Sequence, residues 1–200
     1  MILVFRRIGQ RRYAIEAKRP PFPDVEMNPA PGYDAWMPHD LLHLVVEAQL
    51  GLTRGVFGQL AAGGDAGTFH PSFNPQETSR AAARVRHRLK ARGKKLTREG
   101  RDESAQSEQA TFICWYKWLA RSQESDRRTA AQAMVQQARQ VRDVAPAMAV
   151  RGLSESRLEE ICRHLEELSS HWSRLEVGQS MSVRWPDLAV SSNPAVLTND

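Results

Sequence analysis

Apolar positions recur along this chain with two different periods, and the changes of period divide it into elements. Residues 2 to 8 and 11 to 18 are rich in Ile, Val, Phe and Tyr and flank Gly9-Gln10, the length of a tight loop, which predicts an N-terminal β-hairpin. Near the other end, Met181, Val183 and Trp185 alternate with Ser180, Ser182 and Arg184, as in a half-buried strand that could join the hairpin. Between these strands the period is helical. A helix should start at Pro38 and run to about Leu50 or Arg54, with a short second helix after it. Residues 76 to 91 form another candidate, ending near Gly93, and 104 to 121 a fourth. Residues 126 to 145 carry an apolar row stopped by Pro146. The last helix begins near Ser154 or Ser156, with Ser156 and Glu159 in capping-box spacing and Leu158, Ile161, Leu165, Leu168, Trp172 and Leu175 on one face.

The connections have their own signatures. Six prolines between Pro20 and Pro38 forbid a helix or a central strand and favour an extended, polyproline-like strap over the core, anchored by Phe22, Met27, Tyr33 and Trp36. Glycines at 51, 55, 58, 63, 64 and 67 mark turns or close backbone approach. Together these readings give an α+β class: a mostly helical single domain over residues 1–186, with a small antiparallel sheet and a loose tail at 187–200.

With 41% hydrophobic and 26% charged residues, the composition is that of a globular chain. There is no stretch for a membrane span, and the short opening Met-Ile-Leu-Val-Phe-Arg-Arg lacks a signal-peptide core, so the chain reads as cytoplasmic. Cys114 and Cys162 lie in apolar helical patterns without Cys-x-x-Cys spacing and read as core residues.

The candidate chemistry sits in Pro38 to Glu47. After the proline its polar residues are His39, Asp40, His43 and Glu47, which fall within about 100° of arc on a helix otherwise filled by Leu and Val. Two histidines four apart on a helix project to one side and can bind a single transition metal, zinc first. A solvated face would normally include Lys, Arg or Gln, and none occurs here. Capping and the helix dipole equally account for Asp40 near an N-terminus. His-Asp-Leu-Leu-His resembles the zincin pattern over five residues, with Asp40 in the general-base position, and this resemblance implies a metal-dependent hydrolase. The same five residues resemble the His-Asp-x-x-His signature of a ubiquinone-biosynthesis family, whose glutamate twelve positions beyond the second histidine is Gly55 here. His39 and Glu47 are about 12 Å apart along the helix, so one ion cannot take both. Asp65 and His70 in the glycine-rich loop are the first choices for a further metal ligand, with Glu77 and Asp34 in reserve. Asp40 and Glu47 are left as acid-base or supporting groups.

Charge supplies a second candidate. The net charge is +5, yet residues 80 to 101 alone carry +9, leaving −4 to the remainder. Arg80, Arg84, Arg88 and Arg92 step by four along one helix edge, with Arg86, Lys90, Lys94, Lys95, Arg98 and Arg101 widening the patch. Such a row suits the phosphates of a nucleic acid, or an acidic protein partner, and predicts a non-enzymatic binding module as the alternative function. A solvated helix followed by a flexible loop from Arg92 to Gly100 fits the same charges.

Overall fold

The computed structural model describes residues 1–32, 36–72, 79–141 and 150–191. Two strands, β1 (Ile2–Gly9) and β2 (Arg12–Lys18), form the hairpin expected from the alternation. They are joined by β3 (Val25–Met27), β4 (His70–Pro71), β5 (Ser180–Arg184) and β6 (Val190–Ser191) in an antiparallel sheet of order β4-β3-β2-β1-β5-β6. The register places apolar residues opposite one another: Leu3 faces Ala17 and Val183, Phe5 faces Ile15 and Met181, and Ile15 faces Met27. All of these are buried, while the reverse face carries Glu16, Glu26, Ser182 and Arg184. One face therefore closes the core and the other meets solvent.

Six helices occur among the described residues: α1 (His39–Leu50), α2 (Val56–Ala61), α3 (Arg80–Glu99), α4 (Arg101–Arg121), α5 (Ser125–Val141) and α6 (Glu155–Ser173). The architecture is α+β, as the pattern of periods predicts. α1 packs against α2, α4 and α6, and the seven consecutive residues from Leu41 to Glu47 are all buried. Enclosure over this stretch takes the inner half of the polar stripe, His43 and Glu47, into the core. Trp115 and Trp118 of α4 are core residues as well.

Several expectations need correction. β3 lies within the proline-rich strap and between two other strands. This is possible because Pro20, Pro21, Pro23, Pro29 and Pro31 all fall outside Val25–Met27, leaving its backbone donors intact. α3 starts at Arg80 and runs through Gly93 to Glu99, so the Arg92–Gly100 segment expected as a loop is helical. Gly93 is a contact residue, since a Cβ there would lie 1.8 Å from Asp65 Oδ1. The chain turns instead at Gly100, whose missing Cβ makes room for the Arg54 carbonyl. Ser154 rather than Ser156 caps α6, accepting from the Arg157 amide at 3.2 Å. Residues 187 to 191, read as tail, turn at Leu188 and pair as β6 with β5. Asp34, Glu77, Pro146 and residues 192–200 lie outside the described residues.

Glycine contacts also hold the α1–α2 junction. A Cβ on Gly58 would lie 2.1 Å from the Thr53 carbonyl oxygen, a backbone atom that cannot swing away. Gly67 has a positive φ of 80° but nothing near it. Gly58→Ala should therefore destabilise the fold by about 3 kcal/mol, and Gly67→Ala by the left-handed cost alone, about 1 kcal/mol. Denaturant midpoints of the two variants check the order, and equal losses would refute the packing role of Gly58.

Candidate functional site

α1 begins after Pro38 and ends at Gly51, whose left-handed φ of 66° returns the Leu52 amide to the Glu47 carbonyl. Within it the polar stripe runs from solvent to core: His39 is exposed, Asp40 half-buried, His43 6% and Glu47 0% exposed. This gradient is the property the sequence could not give.

Glu47 is the deepest member and is fully engaged. Its Oε1 accepts from the Val56 amide at 2.8 Å and its Oε2 from the Phe57 amide at 2.9 Å, so the carboxylate caps the N-terminus of α2. Gly55 leaves room for it, because a Cβ there would stand 2.3 Å from the Glu47 carboxyl carbon. Ser107 of α4 donates to Oε1 at 3.0 Å. Burial pushes the Glu47 carboxyl up to about 7, against the pull of these donors.

Ser107 has one hydroxyl hydrogen. With that hydrogen given to Glu47, its oxygen accepts from Nδ1–H of His43 at 3.0 Å. Thr111 Oγ1 lies 3.3 Å from the same nitrogen. This fixes the tautomer of His43 and leaves the Nε2 lone pair free. Burial, aided by His39, lowers the His43 pKa to about 4, so the ring is neutral near pH 7. Its Nε2 stands 3.2 Å from Nε2 of His39 and 3.7 Å from Oε2 of Glu108.

Asp40 points elsewhere. Its Oδ2 lies 2.5 Å from the Tyr13 hydroxyl, which ties β2 to the first turn of α1. Burial raises both groups, so the shared proton is held tightly. Tyr13, Ser107, Glu108 and Thr111 were not anticipated. The signal available for two of them is a pair of small hydroxyls four apart, Ser107 and Thr111, on the face of α4 that also carries Ala110 and Cys114.

The further ligands expected from the glycine-rich loop do not join the histidines. Among the described residues, no group of three or more His, Cys, Asp or Glu side chains is placed to hold a metal ion. Asp65 and His70 instead line a groove of about 750 Å³ against α3. Asp65 is held by the Gly67 amide at 3.1 Å and by its approach to Gly93. The loop therefore packs on α3.

Around that groove the basic row also differs from expectation. Arg86, Lys90, Lys94, Arg98 and Arg101 line it, whereas Arg80, Arg84 and Arg88 are exposed elsewhere on α3 and Arg92 lies over the Phe22 ring at 4.8 Å. The groove row is offset by two residues from the row read in the sequence. Among the described residues no helix is long and apolar enough to cross a membrane.

The buried pair has opposing effects on stability in the metal-free protein. Glu47, raised from 4.5 to about 7, contributes stability that is present below pH 4.5 and lost as pH rises through 7. His43, lowered from 6.5 to about 4, contributes stability that is present above 6.5 and lost as pH falls through 4. Between pH 4.5 and 6.5 the two slopes cancel. Glu47→Gln should remove one of them, so that the variant gains stability with rising pH by about 1 kcal/mol per unit relative to the parent. Urea titrations at pH 4.5, 5.5 and 6.5 on chelator-treated protein check this, and parallel curves would refute it. Compared with family models, with curated proteins and with solved structures, the chain matches none, so a function has to be read from these side chains themselves.

Proposed function

We propose that this chain binds a divalent transition metal, with His39 Nε2 and His43 Nε2 as its nitrogen donors, and uses the ion for hydrolysis. The observation that carries the reading is the relative placement of the two rings. Their nitrogens are 3.2 Å apart and their centres 4.9 Å apart. A linear N–H···N bond of that length would hold the centres about 5.5 Å apart, counting about 1.15 Å from each nitrogen to its ring centre. Lone pairs converging on an ion about 2.05 Å from each nitrogen give about 5.0 Å and an angle near 100° at the metal. The ring centres fit the convergent arrangement, in a pair whose nitrogens also stand at hydrogen-bond distance.

The surroundings of His43 support the same reading. A metal-bound imidazole ordinarily donates its other N–H to an oxygen that leads to a carboxylate, which orients the ring and strengthens its donor nitrogen. Here that path is Nδ1 to Ser107 to Glu47. Glu47 thus acts behind the donors, and Asp40 through its bond to Tyr13 steadies the turn that presents His39. Glu108 is 74% exposed and can reach the ion by side-chain rotation, as a further ligand or as the acid-base group beside a bound water. Nitrogen donors at a near-tetrahedral angle favour zinc. A metal at this position would be open to solvent on the His39 side, the condition for hydrolytic chemistry.

Elemental mass spectrometry after dialysis against zinc tests the proposal. The parent should hold about one zinc per chain, and His39→Ala and His43→Ala should each lose it. His39 is exposed, so its variant should fold, as circular dichroism would verify. Ser107→Ala should keep the site but weaken zinc by about 10- to 100-fold. A zinc-free parent, or His39→Ala with parental zinc content, overturns the reading. Chromogenic ester and phosphodiester substrates, compared with loaded and chelated protein, test the hydrolytic half.

A further inference from the structure

The groove against α3 is a second, independent feature. α3 carries three buried residues, Ala82, Leu89 and Gly93, in twenty. A helix this polar is not held by a core of its own. It is laid against the glycine-rich loop by Gly93 on Asp65 and Leu96 on Gly64, and against the proline-rich strap by Arg92 on Phe22. Those contacts fix its rotation and turn the Arg86, Lys90, Lys94, Arg98 and Arg101 edge to the groove.

Among the described residues, Lys90, Lys94, Arg98 and Arg101 line this groove without an ion-pair partner, Arg86 lines it with an interaction of its own, and one carboxylate, Asp65, faces them. α3 has one acid of its own, Glu99, which pairs at 3.9 Å with Lys95, outside the lining. Asp65 faces the buried guanidinium of Arg19, whose Nη1 donates to the Leu60 and Gly64 carbonyls, so that acid is itself partly offset. Among the described residues the charges of Lys90, Lys94, Arg98 and Arg101 are therefore not neutralised, and their field is open to an anionic ligand.

The cations form a line and not a cluster. From Arg86 to Arg98 they step by four residues, about 6 Å each and about 18 Å in all, and Arg101 follows just past the turn at Gly100. A compact anion is gripped by groups converging on one point, whereas a line of evenly stepped cations follows a polymer of evenly stepped charges. Arginine and lysine together suit phosphate oxygens. Phe69 of the lining is 2% exposed and offers no face to stack a base, which leaves the exposed ring of His70 as the one stacking surface among the lining residues.

We infer that this groove is a binding surface for the phosphodiester backbone of a nucleic acid, recognised through its charge and spacing and not through its bases. DNA and RNA share that chemistry.

Fluorescence anisotropy with a labelled 20-nucleotide single-stranded DNA, the same sequence as RNA, and a DNA duplex tests the inference between 50 and 300 mM salt. The parent should bind at least one of the three at 50 mM, and the tightest names the source. Replacing Lys90, Lys94, Arg98 and Arg101 by Gln should weaken that binding at least 30-fold and take about 3 from the slope of log affinity against log salt. Replacing Arg80, Arg84 and Arg88 by Gln should change affinity less than about threefold. All seven side chains are exposed, and circular dichroism would verify that both variants fold. The inference fails if none of the three probes binds, if both variants lose affinity equally, or if polyglutamate displaces the strand at equal charge concentration.

Discussion

A carboxylate with no exposed surface has to be satisfied where it lies, and Glu47 is that carboxylate. An unpaired buried charge would cost several kcal/mol, so its position dictates what surrounds it. The chain turns back after Gly51 so that the first amides of α2 point at its oxygens, Gly55 omits the Cβ that would collide with it, and α4 brings Ser107 within reach. Each requirement constrains the next. Because Ser107 gives its hydrogen to Glu47, it takes one from His43, and because His43 spends Nδ1 in this way, its Nε2 faces His39. The orientation of the histidine pair is the outer end of a chain of hydrogen bonds that starts in the core.

The parts of this arrangement that were legible in the sequence are the local ones. The hairpin and β5 follow from period-two alternation, and α1 follows from a run in which every residue outside one arc is apolar. His39, Asp40, His43 and Glu47 stand out because helical geometry alone puts them on one stripe. Their partners could not be read, since Ser107 is 60 residues from Glu47, 64 from His43, and Tyr13 is 27 from Asp40. No periodicity encodes which polar residue of one element meets which of another. The same limit explains Asp65 and His70. Their glycine-rich loop was free in sequence terms to approach α1, and the fits of Asp65 against Gly93 and of Gly64 against Leu96 commit it to α3.

Glycine itself was the least legible signal. At Gly51 it ends a helix, as its left-handed conformation requires. At Gly93 it sits inside a helix, where its cost of about 1 kcal/mol relative to alanine is offset by the contact it permits. A sequence shows the residue without showing which role it plays, so the reading of Gly93 as a stop truncated α3 and turned its last third into a loop. That error also split the groove row, leaving Arg86 and Lys90 on the helix and Lys94 and Arg98 in the expected loop.

With α3 at full length, the two features of this chain meet on α4. Ser104 lines the basic groove, and Glu108, one turn later, stands 3.7 Å from His43. Residues four apart share a helix face, so the side of α4 that closes one end of the groove continues towards the histidine pair. Charge and ligand geometry are otherwise unrelated properties, carried by α3 and α1 respectively. They converge on successive turns of a third helix, Ser104 at the groove and Glu108 beside His43, so α4 is the element through which the position of one feature constrains the other.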